Sequence, residues 1–190
     1  MATVRHQLAN VISVSLSAVR FAAMKVFYPR NIYVAGIERI SPDVVVDIDK
    51  RSKIRFGKRV SVHSGGRITA VAGGELGIGD NTSFNVRCVV ACRSKISIGK
   101  NVSFGPNVML YDHDHILNAT NGAKGPGFKL GSIEIGDNSW IGAGTIILLN
   151  TRIGKNCVIA AGSIVKGDVP DNTVLIQKRV STCKGLETDL

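Results

Sequence analysis

The feature that most constrains this sequence is an aliphatic residue at every sixth position through a long stretch. In "IEIGDNSWIGAGTIILLNTRIGKNCVIAAGSIVKGD", which runs from Ile133 to Asp168, the spacing holds without a miss. An α-helix repeats every 3.6 residues and a strand every two, so neither explains the pattern. The residues that carry the period are Ile135, Ile141, Ile147, Ile153, Ile159 and Val165.

The same unit recurs through most of residues 40–168. Four places after each aliphatic in the first stretch the residue is small: Ser139, Thr145, Thr151, Cys157 and Ser163. Earlier sets with the same spacing are Ile78, Phe84, Val90 and Ile96, then Ile98, Phe104, Leu110 and Ile116, with a looser set at Phe56, Val62 and Ile68.

A short fixed period predicts a stacked architecture, in which each unit buries its apolar residue against copies of itself. Six residues provide a short extended segment and a corner. Three such segments close a triangular coil of about 18 residues, and coils stack strand on strand at about 4.8 Å. The "IGDN" and "IGKN" segments supply corner residues that accept positive φ. The fold class is therefore predicted to be all-β, a parallel β-helix.

The segments "IGDNSWIGAGTII" and "IGKNCVIAAGSIVKGDVPDN" resemble the hexapeptide-repeat acyltransferases. The resemblance covers about residues 50–172 and implies a left-handed β-helix, an exception to the usual right-handed crossover. "IGKNVSFGPNVMLYDHDH" is similar to the sugar O-acetyltransferase branch, which includes maltose and galactoside acetyltransferases and acetyltransferases of polysaccharide biosynthesis. The coils are scaffold, so the resemblance specifies the fold more closely than the substrate.

Three regions are expected along the chain. Residues 1–30 form an amphipathic helix, 31–176 the β-helix acyltransferase domain with an extruded loop at 117–132, and 177–190 a basic tail. The helical stripe is Val4, Leu8, Ile12, Leu16, Val19, Ala23 and Val26, and Pro29 ends the helix. We expect this stripe to pack on the domain or on a neighbouring subunit; peripheral contact with an anionic membrane surface is the alternative. No segment is expected to span a bilayer.

The chain carries a net charge of +10, and its basic residues are scattered with few aromatics among them. A nucleic-acid surface usually clusters the two kinds, so no nucleic-acid partner is expected. The cysteines Cys88, Cys92, Cys157 and Cys183 lack the spacing of a zinc site, and Cys88 and Cys157 fall at the small position of the repeat. Small buried thiols in a reducing cytoplasm are the simplest interpretation.

The segment "MLYDHDHIL" holds two of the four histidines, directly before a stretch, "LNATNGAKGPGFKLGS", that lacks the period. A long loop in a regular scaffold is often functional. Three interpretations are open: a polar corner, a metal site of the H-x-H kind, or a general base with a carboxylate partner. The last is favoured, because no further ligand cluster is visible in the sequence.

The resemblance implies which residues act. It places the catalytic base at His115, with His113 as the second choice, and Tyr111 beside the acceptor. Asp114 or Asp112 would orient the ring. It also aligns Asn85 with an acceptor-facing asparagine. Arg93 stands where relatives can carry an acidic acceptor contact, so this acceptor can differ from theirs.

For the donor, the resemblance implies acetyl-CoA lying in a groove between neighbouring prisms. By register its contacts fall at Gly142, Ala143, Ala161 and Lys166, with Trp140 lining the groove. Lys178, Arg179 and Lys184 are basic enough to attract the 3′-phosphate. The relatives' usual Gly-Val-Pro or Gly-Asn-Pro is replaced by "IQKRV".

The implied assembly is a homotrimer with interfacial sites, and the implied reaction is O-acetylation of a saccharide in surface-polysaccharide biosynthesis, in the cytoplasm. No metal is expected. The rival hypotheses are a non-catalytic β-helix scaffold, an N-acetyltransferase acting on an amino sugar, and a metal-dependent enzyme of the carbonic-anhydrase type.

Overall fold

A computed structural model shows a parallel β-helix of about six coils preceded by a single helix, in agreement with the predicted fold class and consistent with a left-handed β-helix. The structure describes residues 2–120, 122–123, 127–178, 180 and 182; for residues 2–7 and 9 it describes the backbone only.

The helix and strands follow in chain order. They are α1 (Ala2–Phe27), β1 (Ile32–Val34), β2 (Arg39–Ile40), β3 (Val45–Ile48), β4 (Lys53–Phe56), β5 (Ser61–Val62), β6 (Arg67–Ala70), β7 (Glu75–Ile78), β8 (Ser83–Phe84), β9 (Val89–Cys92), β10 (Lys95–Ile98), β11 (Ser103–Phe104), β12 (Met109–Tyr111), β13 (His113–His115), β14 (Phe128–Leu130), β15 (Ser132–Ile135), β16 (Trp140–Ile141), β17 (Ile146–Ile153), β18 (Val158–Ile159), β19 (Ile164–Val169) and β20 (Val174–Leu175).

The strands form three faces of a triangular prism, with parallel pairing between successive coils. Face 1 holds β1, β4, β7, β10 and β15. Face 2 holds β2, β5, β8, β11, β16, β18 and β20. Face 3 holds β3, β6, β9 and β12. The long strands β17 and β19 run from face 3 into face 1.

The six-residue period is confirmed as the core of the prism. All six aliphatics from Ile135 to Val165 are buried, as are the four from Ile78 to Ile96. Phe84 and Phe104 stack in successive coils with ring centroids 4.5 Å apart. Ile116 is an exception: its side chain is 46% exposed, because the chain leaves the prism after Asp112.

The coils are not all 18 residues long. Ile32 pairs with Ile54, which pairs with Leu76, so the first coils take 22 residues. Leu76 to Ile96 takes 20, and Ile133 to Thr151 takes 18. The difference arises at the corner between faces 3 and 1, which shortens from residues 71–74 to residues 93–94 and then to a bend inside β17. We call this the variable corner.

The corner between faces 1 and 2 is held by a ladder of asparagines. Asn81, Asn101, Asn138, Asn156 and Asn172 all have positive φ, which asparagine tolerates better than most residues. Each side-chain amide donates to the next along the prism, at 2.9, 2.9, 3.2 and 3.0 Å. The "IGDN" and "IGKN" segments therefore form corners, as predicted.

The helix α1 packs on β1 and β2 and covers the first coil. Its inward face carries Ser13, Ser17 and Phe21. The Ser17 hydroxyl bonds the backbone of Ile40, and the Phe21 ring lies 5.1 Å from that of Phe56.

The predicted packing of the apolar stripe on the domain is wrong. Leu8, Ile12, Leu16, Val19 and Val26 are exposed, by 45% to 75%. The first coil presents backbone groups and the Phe56 ring at this point, and serines with one phenylalanine satisfy them better than a row of branched side chains.

The window Asn10–Phe27 is long and apolar enough to cross a membrane, judged by length and composition alone. The sequence expectation of no such segment is therefore wrong by that criterion. A core helix or an N-terminal signal can meet the same criterion. This helix differs from a core helix because only 11% of the window is buried.

Candidate functional site

A two-stranded ribbon leaves the β-helix at the variable corner. Its strands β13 and β14 pair antiparallel, with His113 opposite Leu130 and His115 opposite Phe128. The backbone N–H of Gly131 donates to the carbonyl of Asp112 at 2.8 Å and closes the base of the ribbon. The extruded segment thus begins at His113, earlier than the predicted loop of 117–132, and Ser132 already belongs to β15.

Asp112 is the buried anchor of this site. Its side chain is fully buried, and its carboxylate accepts the backbone N–H groups of Arg93 and Ser94 at 2.8–3.1 Å. Oδ1 also lies 2.9 Å from Nδ1 of His113. A buried carboxylate needs such donors, since its desolvation is otherwise costly. The carboxylate therefore has a fixed position beside the His113 ring.

Asp114 and His115 make a different contact. Oδ1 of Asp114 accepts the backbone N–H of His115 at 2.8 Å, and both side chains are exposed. The carboxylate that reaches an imidazole ring is thus Asp112, on His113. Sequence left the choice between the two aspartates open.

Phe128 joins the two histidines to Arg93. Its ring centroid lies 5.3 Å from that of His113, edge to face, and 4.7 Å from that of His115. The guanidinium carbon of Arg93 sits 3.9 Å from the same centroid, within cation–π range. Sequence reasoning did not assign Phe128 a role; that it is the only aromatic residue between Tyr111 and Trp140 was the available signal.

The nearby thiols are not activated nucleophiles. Burial, aided by the Asp112 carboxylate, raises the pKa of the Cys92 thiol, and burial also raises the pKa of Cys88. Reactive cysteines need a lowered pKa. Cys88, Cys92 and Cys157 are free and buried, as predicted, and Cys183 lies outside the described residues.

The predicted donor contacts lie mostly at another edge of the prism, between faces 2 and 3, which we call the second corner. Ala143 and Ala161 are exposed there in successive coils, and Trp140 on the adjoining β16 is 56% exposed. Gly142 is buried, and a Cβ on it would lie 2.5 Å from the backbone nitrogen of Ala161, so the site requires glycine. Asn85 follows β8 at this same corner.

One chain therefore does not bring all the predicted site residues together. His113, His115 and Asp114 share the ribbon at the variable corner. Tyr111 precedes it on face 3, with its hydroxyl directed to Sδ of Met109 at 3.6 Å. Lys166 is exposed in β19, on the strand that bends around the variable corner. The second corner holds the remaining predicted residues.

No group of three or more His, Cys, Asp or Glu side chains is placed to hold a metal ion within the part of the chain that the structure describes. His63 follows β5 at the second corner, away from the ribbon. Of the basic tail, Lys178 is exposed, while Arg179 and Lys184 lie outside the described residues.

Comparison with known proteins agrees with the fold and the repeat. Residues 132–167 match the family model described as bacterial transferase hexapeptide (six repeats). The chain is 41% identical over 102 residues to the putative acetyltransferase YJL218W of Saccharomyces cerevisiae, covering 54% of this chain and 52% of that protein. It is 40% identical over 99 residues to the galactoside O-acetyltransferase of Lactococcus lactis, covering 52% and 46%.

Among solved structures, a mutant of AntD, an N-acyltransferase from Bacillus cereus in complex with dTDP and coenzyme A, superposes with a TM-score of 0.65. It is 20% identical and the match covers 76% of this chain and 79% of that one, which supports the fold alone.

The predicted resemblance to hexapeptide-repeat acyltransferases is thus confirmed, since the repeat, the fold and the similar proteins agree. The chain spans about half the length of the first curated relatives that it matches.

Proposed function

We propose that this protein transfers the acetyl group of acetyl-CoA to a hydroxyl group of a saccharide. The observation that carries the proposal is the Asp112–His113 pair at the base of the ribbon, where a buried carboxylate orients an imidazole whose side chain is still 16% exposed. The similarity to a galactoside O-acetyltransferase supports a saccharide hydroxyl as the acceptor. Surface-polysaccharide biosynthesis in the cytoplasm is the proposed setting.

The chemistry needs one proton acceptor. With Nδ1–H donated to Asp112, the lone pair of Nε2 is available to take the proton of the acceptor hydroxyl. The oxygen attacks the thioester carbonyl, the C–O bond forms, and the C–S bond breaks. The departing thiolate takes the proton back from the imidazolium, so the histidine is regenerated.

Two histidines compete for this role. The resemblance implies His115, and its exposed ring next to Phe128 is accessible to a substrate. The geometry favours His113, since the carboxylate contact fixes its tautomer and its orientation. We therefore propose His113 as the base, with His115 facing the acceptor as the second candidate.

The donor is proposed to lie along the second corner. Exposed Ala143 and Ala161 leave room for the pantetheine arm to approach the backbone, and Trp140 supplies an exposed apolar ring beside them. Lys166 lies at the variable corner, away from this edge, and is not part of the proposed donor groove. Within one chain this edge and the histidine ribbon lie at different corners. A donor at this edge would therefore meet the catalytic histidine of a second prism lying beside the first. A homotrimer with its active sites between subunits provides that arrangement.

The deciding experiment measures free-thiol release from acetyl-CoA with a panel of sugars, nucleotide sugars and amino sugars. The wild type is compared with His113→Ala and His115→Ala. Acceptor-dependent release that falls by about 10²-fold or more in one variant identifies the base.

The other outcomes separate the rivals. A preference for amino sugars over their hydroxyl counterparts would establish N-acetylation instead. A protein that binds no acetyl-CoA would be a scaffold, and the proposed function would be wrong. A monomer in gel filtration that still turns over would exclude the interfacial trimer.

A further inference from the structure

The outward face of α1 is a mainly apolar surface, with the exposed Ser15 as its one hydroxyl side chain, and it has no partner among the described residues of this chain. We define the outward face as the exposed apolar side chains of α1 that lie opposite Ser17 or on the flank next to that side; Ser17 itself packs on the first coil. Its members and their exposed fractions are Leu8 (60%), Val11 (62%), Ile12 (45%), Leu16 (45%), Val19 (68%), Val26 (75%) and Phe27 (73%). Exposed apolar surface of this extent usually marks an interaction site.

The outward face carries no charge. From Leu8 to Phe27 the only ionisable residues are Arg20 and Lys25. Arg20 turns toward the β-helix, where its Nη2 donates to the carbonyl of Pro42 at 2.6 Å. Lys25 lies on the flank of the helix, beside the cleft that it lines with Glu38.

The surroundings of this face are positive. Residues 1–37 contain four arginines and lysines and no aspartate or glutamate. Lys25 and Arg30, at the C-terminal end of the helix, are exposed. An apolar strip with exposed cations at one end matches a partner with an apolar interior and an anionic surface.

We propose that the outward face of α1 docks on an anionic lipid bilayer, with the helix lying in the headgroup region and the β-helix held on its cytoplasmic side. The position of α1 suits a flat surface, because the helix covers the first coil and the whole prism lies on the other side of it. The proposal does not depend on the proposed acetyl transfer.

Two other occupants fit less well. A second copy would bring the exposed Lys25 and Arg30 of two chains together. The nearby carboxylates are held within each chain, since Glu38 is buried against Val60 and Asp43 bonds Ser64 and Gly65. A spanning helix would have to leave the first coil. That would break the hydrogen bonds between Ser17 and Ile40 and expose Phe56, which is fully buried beside Phe21.

The experiment is flotation of the full-length protein with vesicles of phosphatidylcholine alone and of phosphatidylcholine with phosphatidylglycerol. The test variant is Ile12→Glu with Val19→Glu, which places two anions at the centre of the outward face. The matched control is Val174→Glu, the same change at a site that is 61% exposed on the last coil. Thermal melting confirms that all three proteins fold, since none of these side chains is buried.

We expect the wild type and Val174→Glu to float with anionic vesicles, more weakly in high salt. The double variant should float at least about tenfold less. Equal flotation of the double variant, or none of the wild type, would overturn the proposal.

Two further outcomes would also overturn it. In light scattering without lipid, a wild type with twice the mass of the double variant would show that a second copy covers the face. Wild type that resists extraction from membranes at alkaline pH would show a spanning helix.

Discussion

The Oδ1 atom of Asp112 lies 2.9 Å from Nδ1 of His113, and the same carboxylate accepts the backbone N–H groups of Arg93 and Ser94. The aspartate is thus fixed from the previous coil before it contacts the ring. A carboxylate held in this way favours the tautomer with the proton on Nδ1, which leaves Nε2 as the acceptor nitrogen.

Replacing Asp112 should affect the chemical step more than donor binding. Asp112→Asn removes the negative charge that stabilises the imidazolium, so kcat should fall by about 10²-fold while the KM for acetyl-CoA changes little. Steady-state kinetics across pH measures both parameters. The control is Asp114→Asn, which alters a carboxylate bonded only to the backbone of His115. A larger loss of kcat in Asp114→Asn than in Asp112→Asn would show that Asp114 is the residue that orients the histidine.

Phe128 should contribute to acceptor use through its ring. Phe128→Ala removes the surface that contacts both imidazoles and Arg93, so kcat/KM for the acceptor should fall by about tenfold. Phe128→Tyr keeps the ring and should retain most activity. The melting temperature should not change in either variant, since the ribbon lies outside the prism core. A loss of stability equal to that of a core substitution would contradict this interpretation.

Glu38 should make stability depend on pH. Its side chain is 3% exposed, Val60 N–H donates to Oε2 at 2.6 Å, and Oε1 is one of the buried side-chain atoms of the described residues without a hydrogen-bond partner. Burial raises its pKa from 4.5 to about 7, although the Val60 hydrogen bond opposes the shift. The folded protein therefore binds this proton more tightly than the unfolded chain.

The contribution of Glu38 is fully present below pH 4.5 and is lost as the pH rises through about 7. The free energy of unfolding should fall by up to about 3 kcal/mol over that window. Urea unfolding at a series of pH values measures it. Glu38→Gln should flatten the dependence, while Glu134→Gln, at an exposed site, should not. The same slope in both variants would exclude Glu38 as its source.

The asparagine ladder should stabilise the prism at the corner between faces 1 and 2. Asn138→Ala removes two side-chain hydrogen bonds. It also places alanine at a φ of 60°, a conformation that alanine tolerates less well than asparagine. The expected loss is about 1–2 kcal/mol in denaturant unfolding. Asn107→Ala is the matched control, with a φ of 58° and a side chain that makes no hydrogen bond among the described residues. Equal losses would assign the effect to backbone strain alone.

The sequence predicts the core well because every coil requires an apolar side chain at the same position. A branched residue such as Ile141 or Ile159 must point into the prism, and any polar replacement would be buried without a partner. The corners at Asn138 and Asn156 were predictable for the same reason. The length of each coil was not predictable from the sequence. The strands of face 1 stack in the same way whether the variable corner before them has four residues, two residues or only a bend within one strand.

The site and the helix were only partly predictable. The sequence located the histidines but could not choose the aspartate, because it does not show that Asp112 lies at a buried bend before β13 while Asp114 lies on the exposed ribbon. Phe128 contacts His115 because β13 and β14 pair across the ribbon, and no local sequence pattern predicts that pairing. The prediction that the apolar stripe of α1 packs on the domain was wrong, while packing on a neighbouring subunit stays a prediction. The first coil instead binds Ser17 and Phe21.

The hydrogen bond between Gly131 and Asp112 places the exit and the return of the ribbon next to each other. Strand pairing continues undisturbed on both sides of the gap, with Lys95 opposite Ser132 and Met109 opposite Ile146. A segment joined in this way can be lengthened, shortened or exchanged at little cost to the scaffold, since loop closure entropy grows slowly with length. The ribbon is therefore the part of this chain that can vary in length and sequence while the prism keeps its core and its strand pairing.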